Sequence, residues 1–264
     1  MGILNVTPDS FSENGRNFDA DTAVAAGLDM IAAGADIIDI GAESSRPGSE
    51  PVGEDEELRR VLPVIRGLRK RTTVPLSIDT TKSQVAKAAV ENGADIINDI
   101  SGFHCDATMR NVAADTSAGC ILMHMRGTPQ TMQDNVDYND IVDELNQYFT
   151  ESLAMLAAAG IDPTFVCLDP GIGFSKTAAQ NRLLIKELNA FTNHGRPLLL
   201  GPSRKSFIGT TLGIESAHER IWGTAAAVAL GIANGARIMR VHDVAEMRQV
   251  AEMTLAIVSP PRSE

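Results

Sequence analysis

Ala33-Gly34-Ala35-Asp36-Ile37-Ile38-Asp39 recurs as Asn92-Gly93-Ala94-Asp95-Ile96-Ile97-Asn98, and again as Asn234-Gly235-Ala236-Arg237-Ile238-Met239-Arg240. Each copy follows an alanine-rich stretch with helical spacing, as in 85–90 or 225–232. Glycine stands where a helix would stop, and a short apolar run then ends in a polar residue. That is a helix-to-strand return met three times, the rhythm of βα units. Working outward, strands are expected near 2–6, 35–40, 74–79, 94–98, 119–124, 164–169, 197–201 and 236–241. Helices are expected near 20–33, 54–70, 82–92, 106–117, 139–158, 178–190, 216–233 and 244–257. Leu198-Leu199-Leu200 has no polar alternation, as in a strand buried on both faces. Eight alternations without a long linker imply the α/β class and a single (β/α)₈ TIM barrel spanning 1–264. An open doubly wound sheet is the alternative, but no G-x-G-x-x-G follows the first strand.

Composition narrows the function. The chain has 264 residues, 44% hydrophobic and 22% charged, an ordinary globular balance. No apolar run approaches the roughly 20 residues of a membrane span, so no membrane partner is expected. The first residues lack the basic and apolar regions of a signal peptide. Cys105, Cys120 and Cys167 form no C-x-x-C pair, which fits free thiols in a reducing cytoplasm and argues against a cysteine zinc site. The net charge of −11 argues against nucleic acid as a partner. An anionic ligand would have to be held by local cations.

Those cations stand at strand ends, where barrel active sites assemble. Gly201-Pro202-Ser203-Arg204-Lys205 follows the leucines, and other strands finish in Asn5, Asp79, Asn98, His124, Asp169, and Arg240 with His242. Singly, each reads as a cap or a solvated turn. At one face of a barrel they make a site with two chemistries. Asp79, Asn98 and Asp169 suit the N–H edge of a flat polar heterocycle, with Lys205 as an opposing donor. Arg46, Arg240 and His242, with Asn5 and Ser45, suit phosphate oxygens and a Mg²⁺ ion. Gly171 and Gly173 let the backbone approach a ligand before Phe174. Two polar loops, 7–15 and 44–51, carry Phe11 and Arg46 and are candidates for lids. His104 and Cys105 read as loop residues with no partner at metal spacing, and His194 and His218 as surface. Helix 224–233 is too apolar for a solvent face, so it packs tightly or meets another subunit.

With these motifs in hand, the sequence resembles dihydropteroate synthase. The resemblance rests on Met1 to Ser12, Asp39 to Gly48, Ile78-Asp79-Thr80, Ile97-Asn98-Asp99-Ile100 and Met123-His124-Met125. It continues through Leu168-Asp169-Pro170-Gly171, Ser203-Arg204-Lys205-Ser206 and Arg240-Val241-His242-Asp243, in family order over nearly the whole chain. It implies condensation of 6-hydroxymethyl-7,8-dihydropterin diphosphate with p-aminobenzoate, to 7,8-dihydropteroate and pyrophosphate, by an SN1-like route that sulfonamides block. By resemblance Asp79, Asn98, Asp169 and Lys205 bind the pterin, with Met123 and Phe174 packed near it. Asn5, Arg46, Arg240 and His242 hold the diphosphate with Mg²⁺, Asn5 being the metal ligand. Phe11, Ser45, Pro47, Ser203 and Arg204 form the p-aminobenzoate pocket. Asp79, Lys205, Arg240 and His242 carry catalysis, and a homodimer through the last helices is implied. Two departures stand out. Ser44-Ser45 replaces a more usual Ser-Thr, and a hairpin expected before Met1 is absent, which predicts exposed apolar surface at the barrel floor. A corrinoid methyltransferase would share the pterin-reading acceptors but not need Arg46, Arg240 and His242. A non-catalytic pterin-binding protein would have lost part of this set.

Overall fold

A computed structural model describes residues 1–7, 12–13, 17–44, 49, 51–134 and 136–259. Eight parallel strands form one sheet in sequence order: β1 (Gly2–Asn5), β2 (Ile38–Gly41), β3 (Leu76–Asp79), β4 (Ile96–Asp99), β5 (Gly119–Met123), β6 (Val166–Asp169), β7 (Leu198–Leu200) and β8 (Ala236–Met239). Residues just past β8 close the ring on β1. Ile3 N donates to Val241 O at 3.0 Å, and Val241 N to Met1 O at 3.0 Å. The chain is therefore a (β/α)₈ barrel.

Nine helices of α type lie among the described residues: α1 (Ala20–Ala32), α2 (Glu54–Arg69), α3 (Ser83–Glu91), α4 (Ala107–Thr116), α5 (Ile141–Ala158), α6 (Ala178–Lys186), α7 (Ser206–Leu212), α8 (Ile221–Ala233) and α9 (Val244–Val258). Their starts follow local chemistry. Asp19, Asp106 and Asp140 accept backbone N–H bonds as N-caps, and Thr177 with Gln180 completes a capping box. Each such cap contributes about 1 kcal/mol. The recurrent glycine does what its spacing implied. Gly34, Gly93 and Gly235 hold φ of +100°, +111° and +105°, letting each helix turn directly into its strand.

The structure departs from expectation in four places. Helix α7 lies where no helix was expected. A 3₁₀ turn over Leu188–His194 replaces the end of the helix expected near 178–190, and another over Ala217–Arg220 the start of that expected near 216–233. Ser12–Glu13, in the first polar loop, pair antiparallel with Asn17–Phe18 just beyond it.

The three leucines of β7 divide between two layers. Leu198 and Leu200 belong to the large core between sheet and helices, and Leu199 packs inside the barrel with Met1, Ile121 and Cys167. Each fully buried aliphatic chain contributes roughly 1.5–3 kcal/mol. At the barrel floor Ile37, Ile96 and Ile238 are half-buried around Met1, beside a hollow of about 420 Å³. Helix α8 buries Ala227, Val228 and Ile232, and Gly231 lets it approach so closely that a Cβ there would lie 2.4 Å from Leu200. Its opposite face leaves Trp222 81% exposed and Leu230 57% exposed, so one helix both packs tightly and presents apolar surface.

Candidate active site

Strand side chains alternate in and out of a barrel with a period of two. Two residues beyond the inward Ile37, Ser77, Ile96, Ile121, Cys167 and Ile238 come Asp39, Asp79, Asn98, Met123, Asp169 and Arg240. A polar layer therefore sits directly on the apolar filling, at the C-terminal end of the strands. Strand register aligns Asn5, Gly41, Asp79 and Asn98 across four neighbours. Gly41 leaves the wall thin there: a Cβ would lie 3.2 Å from Asp79 Cβ.

Arg240 is the hub of this layer. Its Nε donates to Asp39 Oδ2 at 2.6 Å and its Nη2 to Asp79 Oδ2 at 2.7 Å. Asn98 Nδ2 donates to the same Asp39 oxygen at 3.1 Å. Burial pushes the Asp79 carboxyl up to about 7; Arg240 opposes that rise, while Asp39, Glu57 and Asp99 reinforce it. Burial likewise raises Asp169, whose Oδ1 accepts Gly171 N–H at 2.8 Å. The two chemistries read from the sequence are thus not separate. Arg240, expected with the anion-holding group, is paired with carboxylates of the heterocycle-reading group.

Lys205 follows β7 and lays its Nζ 3.9 Å above the Phe174 ring, with no carboxylate in salt-bridge range among the described residues. Burial lowers its pKa to about 7, with the Arg240 cation adding to the effect. Phe174 sits in a buried cluster with Met123 and Met132, so it packs and faces a cation at once. Ser203 Oγ lies 3.0 Å from His242 Nδ1 and accepts His242 backbone N–H at 3.2 Å. A hydroxyl that accepts from the backbone keeps its own hydrogen to donate to Nδ1, and in that tautomer the imidazole proton sits on Nε2. Burial, then the Arg204 and Arg240 cations, lower the His242 pKa to about 4, so the ring is a neutral donor at pH 7. Arg204, read from the sequence as part of a ligand pocket, is braced by an ion pair beside His242. At a left-handed φ of +60° its Nε donates to Asp243 Oδ2 at 3.0 Å and its Nη2 to Oδ1 at 2.5 Å.

Several contributors escaped the sequence reading. Asp39 is fully buried under Arg240. Lys176 is buried, and its Nζ meets His124 Nδ1 at 3.0 Å and Phe174 O at 2.9 Å, bracing the loop that carries Phe174. Lys82 pairs with Glu43 at 2.6 Å and the buried Glu57 at 2.7 Å. Glu43 also accepts Val52 N–H at 3.3 Å, pinning together the ends of segment 44–51. The inward alternation from Asp79 and its neighbours would have found Asp39; no local pattern marks Lys176. Phe11, Ser45, Arg46 and Pro47 lie outside the described residues. His194, expected at the surface, is half-buried against Asn146 at 3.0 Å. Among the described residues no cluster of three or more His, Cys, Asp or Glu side chains could hold a metal. Asn5, half-buried at the end of β1, offers one neutral oxygen.

The profile of the family described as pterin binding enzyme matches residues 1–242. The dihydropteroate synthase of Synechocystis sp. is 48% identical over 257 residues, 97% of this chain and 89% of that protein. Among solved structures, the Yersinia pestis dihydropteroate synthase with a sulfonamide drug complex superposes with a TM-score of 0.93 at 41% identity, covering 98% of this chain and 94% of that one. Xanthomonas albilineans dihydropteroate synthase with 4-aminobenzoic acid gives 0.92 at 41% identity, covering 99% and 93%. With that identity sustained over nearly its whole length, on a barrel with this polar mouth, the chain belongs to the dihydropteroate synthase family of pterin-binding enzymes.

Proposed function

We propose that the chain condenses 6-hydroxymethyl-7,8-dihydropterin diphosphate with p-aminobenzoate, giving 7,8-dihydropteroate and pyrophosphate, and that residues 1–264 act as one domain. The observation that carries this reading is the polar layer of Asp79, Asn98, Asp169 and Arg240 at the barrel mouth, with Lys205 over Phe174. Acceptors on three strands suit the N–H edge of a pterin, and Lys205 Nζ supplies a donor for its carbonyl or ring nitrogen. Phe174 and Met123 give its flat ring apolar walls. Arg240 and the Nε2–H of His242 suit diphosphate oxygens, as Arg46 would from the second loop.

In this mechanism the bond from the exocyclic methylene to the diphosphate oxygen breaks first. The electron pair leaves with pyrophosphate, whose developing charge Arg240 and His242 meet. The methylene cation is conjugated with the pterin, and the Asp79 carboxylate on the ring N–H stabilises it. The arylamine nitrogen then attacks, forms the C–N bond and releases one proton. An arylamine is neutral at pH 7, so no strong general base is required. Mg²⁺ fits the donor set only as an ion shared with substrate: Asn5 gives one oxygen, the diphosphate and water would give the others, and the ion would neutralise phosphate charge.

The p-aminobenzoate pocket is assigned to Phe11, Ser45 and Pro47 of the two loops, with Ser203 and Arg204. Sulfonamides would compete there, as the sulfonamide complex of the Yersinia pestis relative supports. Three unpaired cysteines suit a reducing, cytoplasmic setting. The apolar stripe of Trp222, Leu230, Met253 and Ile257 supports a homodimer through α8 and α9. A series of arylamines of differing basicity tests the bond order. If C–O cleavage comes first, kcat stays nearly constant across the series; a steep rise with basicity would contradict that order.

A further inference from the structure

We propose that Asp39 is a positioning residue that fixes both Arg240 and Asn98 for the pterin diphosphate, a role that rests on the reaction above. Asp39 lies on β2 level with Ser77, two residues before the Gly41 that pairs with Asp79, and is fully buried. One of its oxygens, Oδ2, accepts from Arg240 Nε at 2.6 Å and from Asn98 Nδ2 at 3.1 Å, while Oδ1 has no protein partner among the described residues. A buried carboxylate with two donors from opposite sides of the barrel ties β2, β4 and the end of β8 to one point.

The two bonds have separate consequences. Arg240 has two anchors, and they differ in access: Asp39 is fully buried, whereas the Asp79 side chain is 15% exposed. A heterocycle N–H that takes Asp79 shares that carboxylate with Arg240 Nη2, which holds its Oδ2. The bond from Nε to Asp39 then keeps the guanidinium in the mouth, with its Nη groups free for an anion. Without that anchor, Arg240 has Asp79 as its sole ion-pair partner among the described residues and competes with the ligand. The second bond sets the Asn98 amide. With Nδ2 turned to Asp39 by that bond, the carbonyl Oδ1 is the acceptor that the amide offers to a ring N–H, beside the second Nδ2 hydrogen. Asp39 thus selects the hydrogen-bond pattern that the mouth reads without touching the ligand through Oδ2.

The test compares Asp39→Asn, Arg240→Gln and the double variant, with KM measured separately for the two substrates. Asp39→Asn is expected to raise KM for the pterin diphosphate about tenfold or more and leave that for p-aminobenzoate within about twofold. In the Arg240→Gln background the same change is expected to cost much less, because the two residues act as a unit. Equal losses for both substrates, or full additivity, would show a general structural role and overturn the proposal. If Asp39→Asn does not fold, arginine-labelled wild-type protein decides by NMR. The Arg240 Nε–H is expected to stay protected from exchange both before and after the pterin diphosphate binds, and loss of protection on binding would overturn the proposal. Calorimetric binding of the pterin diphosphate separates this from the reaction itself. Wild type that binds without turnover counts against the synthase reading, whereas unchanged affinity in Asp39→Asn counts against Asp39 alone.

Discussion

At the scale of single residues, the charge of the mouth is set by burial. Asp79 has its pKa raised from 3.8 to about 7, so the folded state holds its proton more tightly than the unfolded chain does. Stability from this group is greatest at low pH and falls as pH rises from the unfolded value through about 7. Asp79→Asn should therefore flatten the fall in folding free energy between about pH 4 and pH 7 measured by denaturant titration, while abolishing tight pterin binding. An unchanged slope would mean that another group titrates there. His242 moves the other way. Its pKa is lowered to about 4, so its contribution is present above the unfolded value of 6.5 and is lost as pH falls through the folded one. As a neutral Nε2–H donor it should be replaced better by Gln than by Leu. We expect kcat/KM to fall about tenfold more in His242→Leu than in His242→Gln. Equal losses would mean that the imidazole does not act as a donor.

At the scale of elements, the loop between β6 and α6 carries the strictest constraint. Gly171 has φ of +69°, and a Cβ there would lie 2.1 Å from His124 O. Gly171→Ala should cost on the order of 2–4 kcal/mol in denaturation and weaken pterin binding, because the same loop carries Asp169 and Phe174. A loss under about 1 kcal/mol would mean that the loop relaxes freely. Lys176 braces that loop, yet a lysine between Ser175 and Thr177 reads in sequence as solvent-facing. Its burial is a tertiary fact with no local sign. Helix α7 is similar: Gly209, Thr210 and Thr211 are poor helix formers, and the turn is held by buried Phe207 and Ile208. Four strands, by contrast, are legible because the repeated Gly-Ala-x-Ile motif and the unbroken leucines specify both turn and layer, and the βα rhythm they set places the other four. Asp39 was missed because only the last residue of each strand was considered, while the polar layer begins two residues earlier on β2.

At the scale of the whole molecule, α8 and α9 leave Trp222, Leu230, Met253 and Ile257 more exposed than Phe165, Leu183 and Leu212, the exposed large apolar chains elsewhere among the described residues. Leu230→Glu with Met253→Glu should yield a folded monomer by light scattering if two chains meet there; an unchanged mass would place any contact elsewhere. The net charge of −11 makes the cations of the mouth the more telling, since Arg240 must hold an anion against it. The central claim concerns that mouth, and one measurement addresses it most directly. Wild type and Lys205→Ala are given the pterin diphosphate, p-aminobenzoate and Mg²⁺, and 7,8-dihydropteroate and pyrophosphate are quantified together. The account predicts equal amounts of both products, dependent on both substrates, and a loss of at least about a hundredfold in Lys205→Ala. Pterin binding without product, or full turnover in the variant, would contradict it.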